Sequence, residues 1–351
     1  MTAIGHVQLR RVYFVCRSCR VGRYPFEDRL GVFGGRTQAA ERLLCLAGAS
    51  WSYDASAAHL QEFCGLVVSD QQVRSVCHVH GIQMGVWQRE QPEVAQAFRE
   101  APGEIEFTTD GTSVNTTLGW REMKLAIFSK RDRGTPADPC DWARRDLPSP
   151  NVSVSFAAIE PSVKFGKRWR RWTQRLHIVN SSSVTVLADG ARWIWDEQRK
   201  QLTYAEGMLD IFHCLQHVAQ TGHALFGEGT ADSRAWTEQT RESLLAGGYA
   251  AICKRIAQTR RETRSPKKRK HLDGLSNYLR PHEHHLDYRS RLAQGRSIGS
   301  GQVEGACKQV IGRRLKQTGA RWKVRRINRM ATLCCLFHSS HWKDYWNQLQ
   351  A

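Results

Sequence analysis

The chain has no apolar run approaching the ~18 residues that cross a bilayer. Its opening, Met1-Thr2-Ala3-Ile4-Gly5-His6, lacks the basic and apolar succession of a secretory signal. A membrane-spanning protein is thereby set aside, and a cytoplasmic location is expected. A disulfide framework is absent too. The 11 cysteines are odd in number, and most (Cys45, Cys64, Cys77, Cys214, Cys253, Cys307) stand singly in apolar stretches, where cysteine packs as a small hydrophobe in a reducing compartment. There is no internal repeat and no low-complexity tail. Acidic residues are few beside the basic ones: 33 Asp and Glu face 52 Lys and Arg, leaving +19.

What is present starts with size. A chain of 351 residues allows about two domains at ~100–200 residues each, with room for a real core. Its positive excess implies a polyanionic partner, most simply nucleic acid, because each neutralised phosphate releases condensed counterions. A basic protein with no specific partner carries the same composition.

Near the N-terminus, Val7, Leu9 and Val12 to Val15 alternate with polar residues before Cys16-Arg17-Ser18-Cys19. Strand followed by a C-x-x-C knuckle suits half of a zinc ribbon. One pair gives two of the four ligands a structural zinc needs, so Cys16 and Cys19 require partners such as His6, or His78 and His80. A metal-free hairpin is the plainer reading, and little or no zinc is expected. Helical periodicity follows. Thr37 caps a first helix, Ser52 or Asp54 a second closed by Gly65, and Ser69 a third that opens with Asp70-Gln71-Gln72-Val73-Arg74. That order suits a helix-turn-helix, with Gln71, Gln72, Arg74 and Ser75 toward DNA. It equally describes a three-helix bundle.

Residues 105–110 alternate as a strand expected to stop at Gly111, and 123–128 and 152–159 add two more. A basic helix over 164–176 carries Lys164, Lys167, Arg168, Arg170 and Arg171 beside Trp169 and Trp172. The strand from Val184 again ends in Asp189-Gly190, and a helix is expected over 204–220. A charge run over 254–270 includes Lys267, Lys268 and Arg269; it reads as a solvated face or, like the basic helix, as a contact to DNA phosphates. The last long helix, over 302–316, presents Val303, Ala306, Cys307, Val310, Ile311 and Leu315 on one face.

Three strands, a helix, a fourth strand and further helices make an α/β layer with a mixed sheet. If the two strands ending in Asp-Gly lie side by side and parallel, Asp110 and Asp189 emerge at one edge, ~4.8 Å apart. Two such carboxylates with a third can hold paired magnesium ions for phosphodiester displacement. Taken singly, Asp-Gly is a common turn signal, and Glu304 reads as a first-turn acid on a helix dipole. His282, His284 and His285 read as a solvated or DNA-facing loop. Cys334, Cys335, His338 and His341 read as a packed terminal helix ahead of a zinc site.

At this point the chain resembles the DDE transposases of bacterial insertion sequences, of the ISKra type. The resemblance rests on Asp110-Gly111-Thr112, on Ala188-Asp189-Gly190-Ala191-Arg192-Trp193-Ile194-Trp195 and on Asp210-Ile211-Phe212-His213. It continues through Ile298-Gly299-Ser300-Gly301-Gln302-Val303-Glu304 and then Arg314, Lys316, Gly319, Arg321 and Trp322. The stretch with Cys16, Cys19, Gly22, Pro25 and Leu30-Gly31 also looks like that family's N-terminal region, although the family's earlier C-x-x-C is missing.

The resemblance implies an RNase H-like core, related to that of Mutator-like enzymes, with Asp110, Asp189 and Glu304 as acids for two Mg²⁺ or Mn²⁺ ions. Asp210 and His213 match its Asp-or-Cys, x, x, His signature; at i, i+3 they share a helix face. The expected class is α/β: an RNase H-like mixed sheet flanked by helices with an all-α insertion. A small helix-turn-helix-like domain and a half zinc ribbon precede it. Expected boundaries are a hairpin over 1–35, a DNA-binding region over 36–100 and a first part of the core over 101–215. A helical insertion over 216–289, the helix with the third acid over 290–330 and a terminal helix over 331–351 complete them.

The function expected is end nicking and strand transfer on double-stranded DNA by a homo-oligomer, nucleoid-associated when bound. Lys308, Arg313, Arg314 and Lys316 on the Glu304 helix would neutralise phosphates. A stand-alone nuclease and a catalytically idle DNA-binding protein are the rival readings.

Overall fold

Capping chemistry sets the N-terminal helices. The computed structural model describes residues 1–179 and 183–349. Two short hairpins come first: β1 (Phe14–Val15) with β2 (Gly22–Arg23), then, after α1 (Pro25–Leu30), β3 (Val32–Phe33) with β4 (Arg36–Thr37). The side chain of Thr37 accepts from Ala40 N–H at the head of α2 (Gln38–Ser50), and that of Ser52 accepts from Ala55 N–H at the head of α3 (Tyr53–Cys64). Gly65 then closes α3 in the left-handed region, at φ 62°, where a side chain would be strained. Ser69 and Gln72 form a reciprocal capping box at the start of α4 (Asp70–Glu90). After α5 (Pro92–Glu100) the sheet begins.

Its strands are β5 (Glu104–Thr116), β6 (Gly119–Arg131), β7 (Val152–Ala158), β8 (Val184–Ala188) and β9 (Glu206–Leu209), in the order β7-β6-β5-β8-β9. The β5–β6 and β6–β7 pairs are antiparallel, whereas β5–β8 and β8–β9 are parallel. Between the strands stand α6 (Ser162–Arg175) and α7 (Arg192–Gln201). Helical chain then runs through α8 (Ile211–Phe226), α9 (Ala231–Glu262), α10 (Pro266–Leu279) and α11 (Tyr288–Ala293). The final part holds α12 (Gly301–Ala306), a π-helical turn (Cys307–Gly312), α13 (Arg313–Leu315), α14 (Val324–Phe337) and α15 (Trp342–Gln348).

The result is a mixed α/β fold with helices flanking a five-stranded sheet. Every residue of β8 is buried, and so is nearly all of β7, as expected of strands covered on both faces. Trp169 of α6 packs on Phe107 of β5 at 4.8 Å between ring centroids. One continuous core extends from Leu44 through the sheet to Trp346. The N-terminal helices are part of it: Gly81 of α4 lies so close to the Arg329 carbonyl of α14 that a Cβ would clash with it.

Three expectations are corrected here. First, β5 does not stop at Gly111; it pairs with β6 as far as Thr116. Gly111 serves close packing, since the Glu122 carboxylate occupies the place a Cβ would take. Second, the helix expected over 204–220 is β9 followed by α8. Gly207 lies in β9, and beside its Cα stand the His285 and Trp195 rings. Third, the helix expected over 302–316 widens into the π turn before Arg313.

Candidate active site

The parallel pairing of β5 and β8 sets the site. Thr108 pairs with Leu187, so two residues further on Asp110 and Asp189 stand abreast on neighbouring strands, whose spacing is ~4.8 Å. Asp110 Oδ1 accepts from Gly111 N–H at 2.6 Å, and Oδ2 lies 3.8 Å from Cys307 Sγ. Burial raises the Asp110 carboxyl above its ordinary value; the Gly111 N–H opposes this, and the Asp189 charge adds to it. Asp189 Oδ1 accepts from Ala191 N–H at 3.0 Å, while its carbonyl accepts from Trp195 Nε1–H at 2.7 Å. Each acid is thus oriented through Oδ1.

Asp210 caps α8 and is almost wholly buried. Its Oδ1 accepts from His213 N–H at 2.8 Å and meets His213 Nδ1 at 3.1 Å. Oδ2 accepts from Ser300 Oγ at 2.7 Å and from Ser300 N–H. Although burial pushes the Asp210 carboxyl up, the hydrogen bonds from His213 and Ser300 outweigh it, so its pKa is lowered. In turn Asp210 raises the His213 imidazole, and the charges of Asp189 and Asp110 add to that. With Nδ1 held, the proton His213 exchanges is the one at Nε2.

Glu304 departs from expectation. It is half-exposed on α12 and its Oε1 accepts from Lys308 Nζ at 2.8 Å. Among the described residues no group of three or more His, Cys, Asp and Glu side chains converges as for a metal. Asp110 and Asp189 stand on neighbouring strands within electrostatic reach of His213, and Glu304 stands apart from them, one turn from the Cys307 that touches Asp110. Two converging carboxylates with Oδ1 anchored are still a fitting donor set for hard cations, which take oxygen ligands.

Several neighbours went unread. Lys124, buried, pairs across from Gly111, binds the Glu122 carboxylate and donates to the Glu160 carbonyl at 3.3 Å. A lysine inside Met123-Lys124-Leu125 was the available signal. Tyr278 of α10 presses against Gly190 and stacks on His217 at 3.8 Å, so the helical segment roofs the chain beside Asp189. Ser300, which clamps Asp210, lies within Gly299-Ser300-Gly301 and carried no spacing signal of its own.

The other expected contacts divide. Cys16 and Cys19 are exposed in the turn between β1 and β2. His80 is committed to Tyr345 and Glu41, at 2.7 and 3.1 Å, and His6 to the Val67 carbonyl at 3.0 Å. His78 is buried within α4; none of the three joins the cysteines. Gln71 is exposed, while Gln72 spends its Oε1 on Ser69 N–H. On α6, Lys167, Arg170 and Arg171 are exposed, but Arg168 is held doubly by Glu160 at 2.7 and 2.8 Å, and Lys164 is 3.4 Å from it. Lys267 and Lys268 are exposed; Arg269 donates to the Thr263 carbonyl at 2.6 Å. Arg313 is exposed, Lys316 donates to Thr112 Oγ1, and Arg314 is buried rather than free. His282 and His285 are not a solvated loop: they pack on Trp195, at 5.2 and 4.3 Å, and His284 alone of the three is open. Cys334 and Cys335 are fully buried in α14, as a packed terminal helix requires.

No helix among the described residues is long and apolar enough to cross a membrane. Compared with protein-family models and with curated proteins, the chain matches none.

Proposed function

We propose that this chain is a DDE transposase of a bacterial insertion sequence, built on an RNase H-like core, which nicks element ends and joins the freed 3′-hydroxyl to target DNA. The observation that carries the reading is the register placing Asp110 and Asp189 abreast on adjacent parallel strands, within a chain of net charge +19. The strand order, with the acids on the central parallel pair, supports the core assignment.

Asp110 and Asp189 would hold Mg²⁺ or Mn²⁺ through the oxygens their Oδ1 anchors leave open. Bound there, two such ions supply the positive charge that favours attacking and leaving oxygens in phosphodiester displacement. The chain's own part is placement. Gly111 N–H and Ala191 N–H fix the two carboxylates, and Asp210 keeps His213 oriented, charged over a wider pH range, and able to give or take a proton at Nε2. Glu304 completes the acids by exchanging its contact with Lys308 for the site. An exposed pair of that kind is worth only ~0–1 kcal/mol, so the exchange costs little. Water attacks first and the 3′-hydroxyl second, with no covalent link between protein and DNA.

The Glu304–Lys308 contact favours one rival, a DNA-binding protein whose catalytic site is idle. An assay on end-labelled element DNA with Mg²⁺ or Mn²⁺ separates the readings. Nicked and joined products support the transposase, nicks without joining indicate a nuclease, and binding without either indicates the idle protein.

A further inference from the structure

A cleft of about 520 Å³ lies between the heads of α3 and α4 and the start of α14. Its floor is Arg314, only 3 % exposed. The guanidinium is 4.6 Å from the Tyr53 ring centroid and 5.0 Å from that of Trp322, and Nε donates to the Gly48 carbonyl at 2.5 Å. Among the described residues its Nη2 has no partner, nor have Tyr53 OH and both ring nitrogens of His78, which is 8 % exposed. Buried polar atoms are rarely left so, and here four of them belong to side chains lining one cleft.

The rim repeats the message. Arg74, Arg321, Lys323 and Arg326 stand around Arg314 and make no ion pair among the described residues. Asp54 and Asp70 also line the cleft, so five cations face two carboxylates. The head of α14 has no side-chain cap and no acid in its first turn; Lys323, Arg325 and Arg326 occupy it instead. Cations at the positive end of a helix are unfavourable unless an anion sits among them. Beside the cleft, the Thr117 N–H donates to the Trp322 carbonyl at 2.8 Å, and the β5–β6 tip exposes Leu118 at 67 % and Trp120 at 69 %.

We propose that this cleft binds a backbone phosphate of a nucleic-acid strand through Arg314 and its surrounding cations, with an unpaired base stacking on Trp120. The proposal rests on the nucleic-acid reading above and adds a site away from the acid pair. The bare aromatic at the tip selects a strand over a free phosphate, because bases stack on such rings. Thr117, just past the end of β5, is seven residues from Asp110, no more than about 23 Å at the rise of a strand. That separation is the length of ~7 nucleotides, so a strand held here is within reach of the acids.

The test uses the full chain at constant ionic strength, with two probes: inorganic phosphate followed by calorimetry, and a labelled single strand of about 20 nucleotides followed by anisotropy. Parent protein should bind phosphate saturably. Arg326→Ala and Arg314→Met should weaken both probes about tenfold or more, the loss of one charge-assisted contact. Trp120→Ala should weaken the strand about tenfold, and Arg234→Ala, away from the cleft, should change neither. Arg326 is exposed, so its variant reports even if Arg314→Met fails to fold. Strand binding unchanged in Arg326→Ala overturns the cleft while leaving the nucleic-acid reading intact. Saturable phosphate binding without any strand binding makes the occupant a free phosphate and overturns this proposal; the nucleic-acid reading is decided separately, by binding and cleavage of double-stranded element DNA.

Discussion

Asp210 concentrates the most consequence in a single side chain. Its carboxylate accepts from two groups of His213 and two of Ser300 while buried. Asp210→Ala should destabilise the fold by about 2–4 kcal/mol, since hydrogen bonds to a charged group are worth ~1.5–3 kcal/mol each and are not additive; urea denaturation measures it. Because its folded pKa is lowered, the stability it contributes is present above the unfolded carboxyl value and lost as pH falls through the folded one. His213 has the opposite sign. Its raised pKa gives a contribution fully present below the ordinary histidine value and lost as pH rises through the folded one. His213→Ala should erase the alkaline part of that dependence and slow, without abolishing, any cleavage. A second residue-scale prediction concerns Gly190, where the half-buried Tyr278 ring stands in the place a Cβ would take. Gly190→Ala should cost about 1–3 kcal/mol through overpacking, read as a lowered melting temperature. Gly111→Ala should cost less, because its obstacle is the end of a half-exposed Glu122 side chain that can swing away.

At the scale of elements, legibility followed how local the determining physics is. Thr37, Ser52, Gly65 and Ser69 act within a few residues, and each helix boundary they mark stands where the sequence pattern puts it. The strands over 152–159 and from Val184 were legible from their apolar runs. β9 was not: Glu206-Gly207-Met208-Leu209 is four residues long and is a strand only because β8 pairs with it. Asp110-Gly111 read as a strand end because Asp-Gly usually turns the chain, yet β6 continues alongside and holds β5 extended. In the site, the placement of Asp110 and Asp189 was legible as a conditional statement that β5–β8 pairing satisfies. The orientation of Glu304 was not, because it depends on a contact with Lys308 one turn away. The union of α4 with α14, distant in sequence, gives a test: Gly81→Ala, facing a backbone carbonyl that cannot swing aside, should destabilise by about 1–3 kcal/mol, seen in denaturant melts.

For the molecule as a whole, the charge of +19 sets how it would meet DNA on the proposed reading. With six to ten phosphate contacts, affinity should fall roughly 10³–10⁵-fold between 50 and 200 mM salt in a mobility-shift titration. A flat salt response would mean that the exposed cations are not at the interface. Acid should weaken the fold globally. Burial holds the His282 and His285 imidazoles at about 4, well below the ordinary value near 6.5. Both are then neutral when folded and bind protons on unfolding, so stability should decline as pH falls from about 6.5 toward 4. Asp110→Asn removes one carboxylate without touching a Lys or Arg, which separates binding from chemistry. The decisive measurement runs an end-labelled cleavage and joining assay beside a mobility-shift titration on the same DNA, for the parent and for Asp110→Asn. The account predicts unchanged or tighter binding in the variant with nicking and joining both gone; a variant that still cuts and joins at the parent's rate would contradict it.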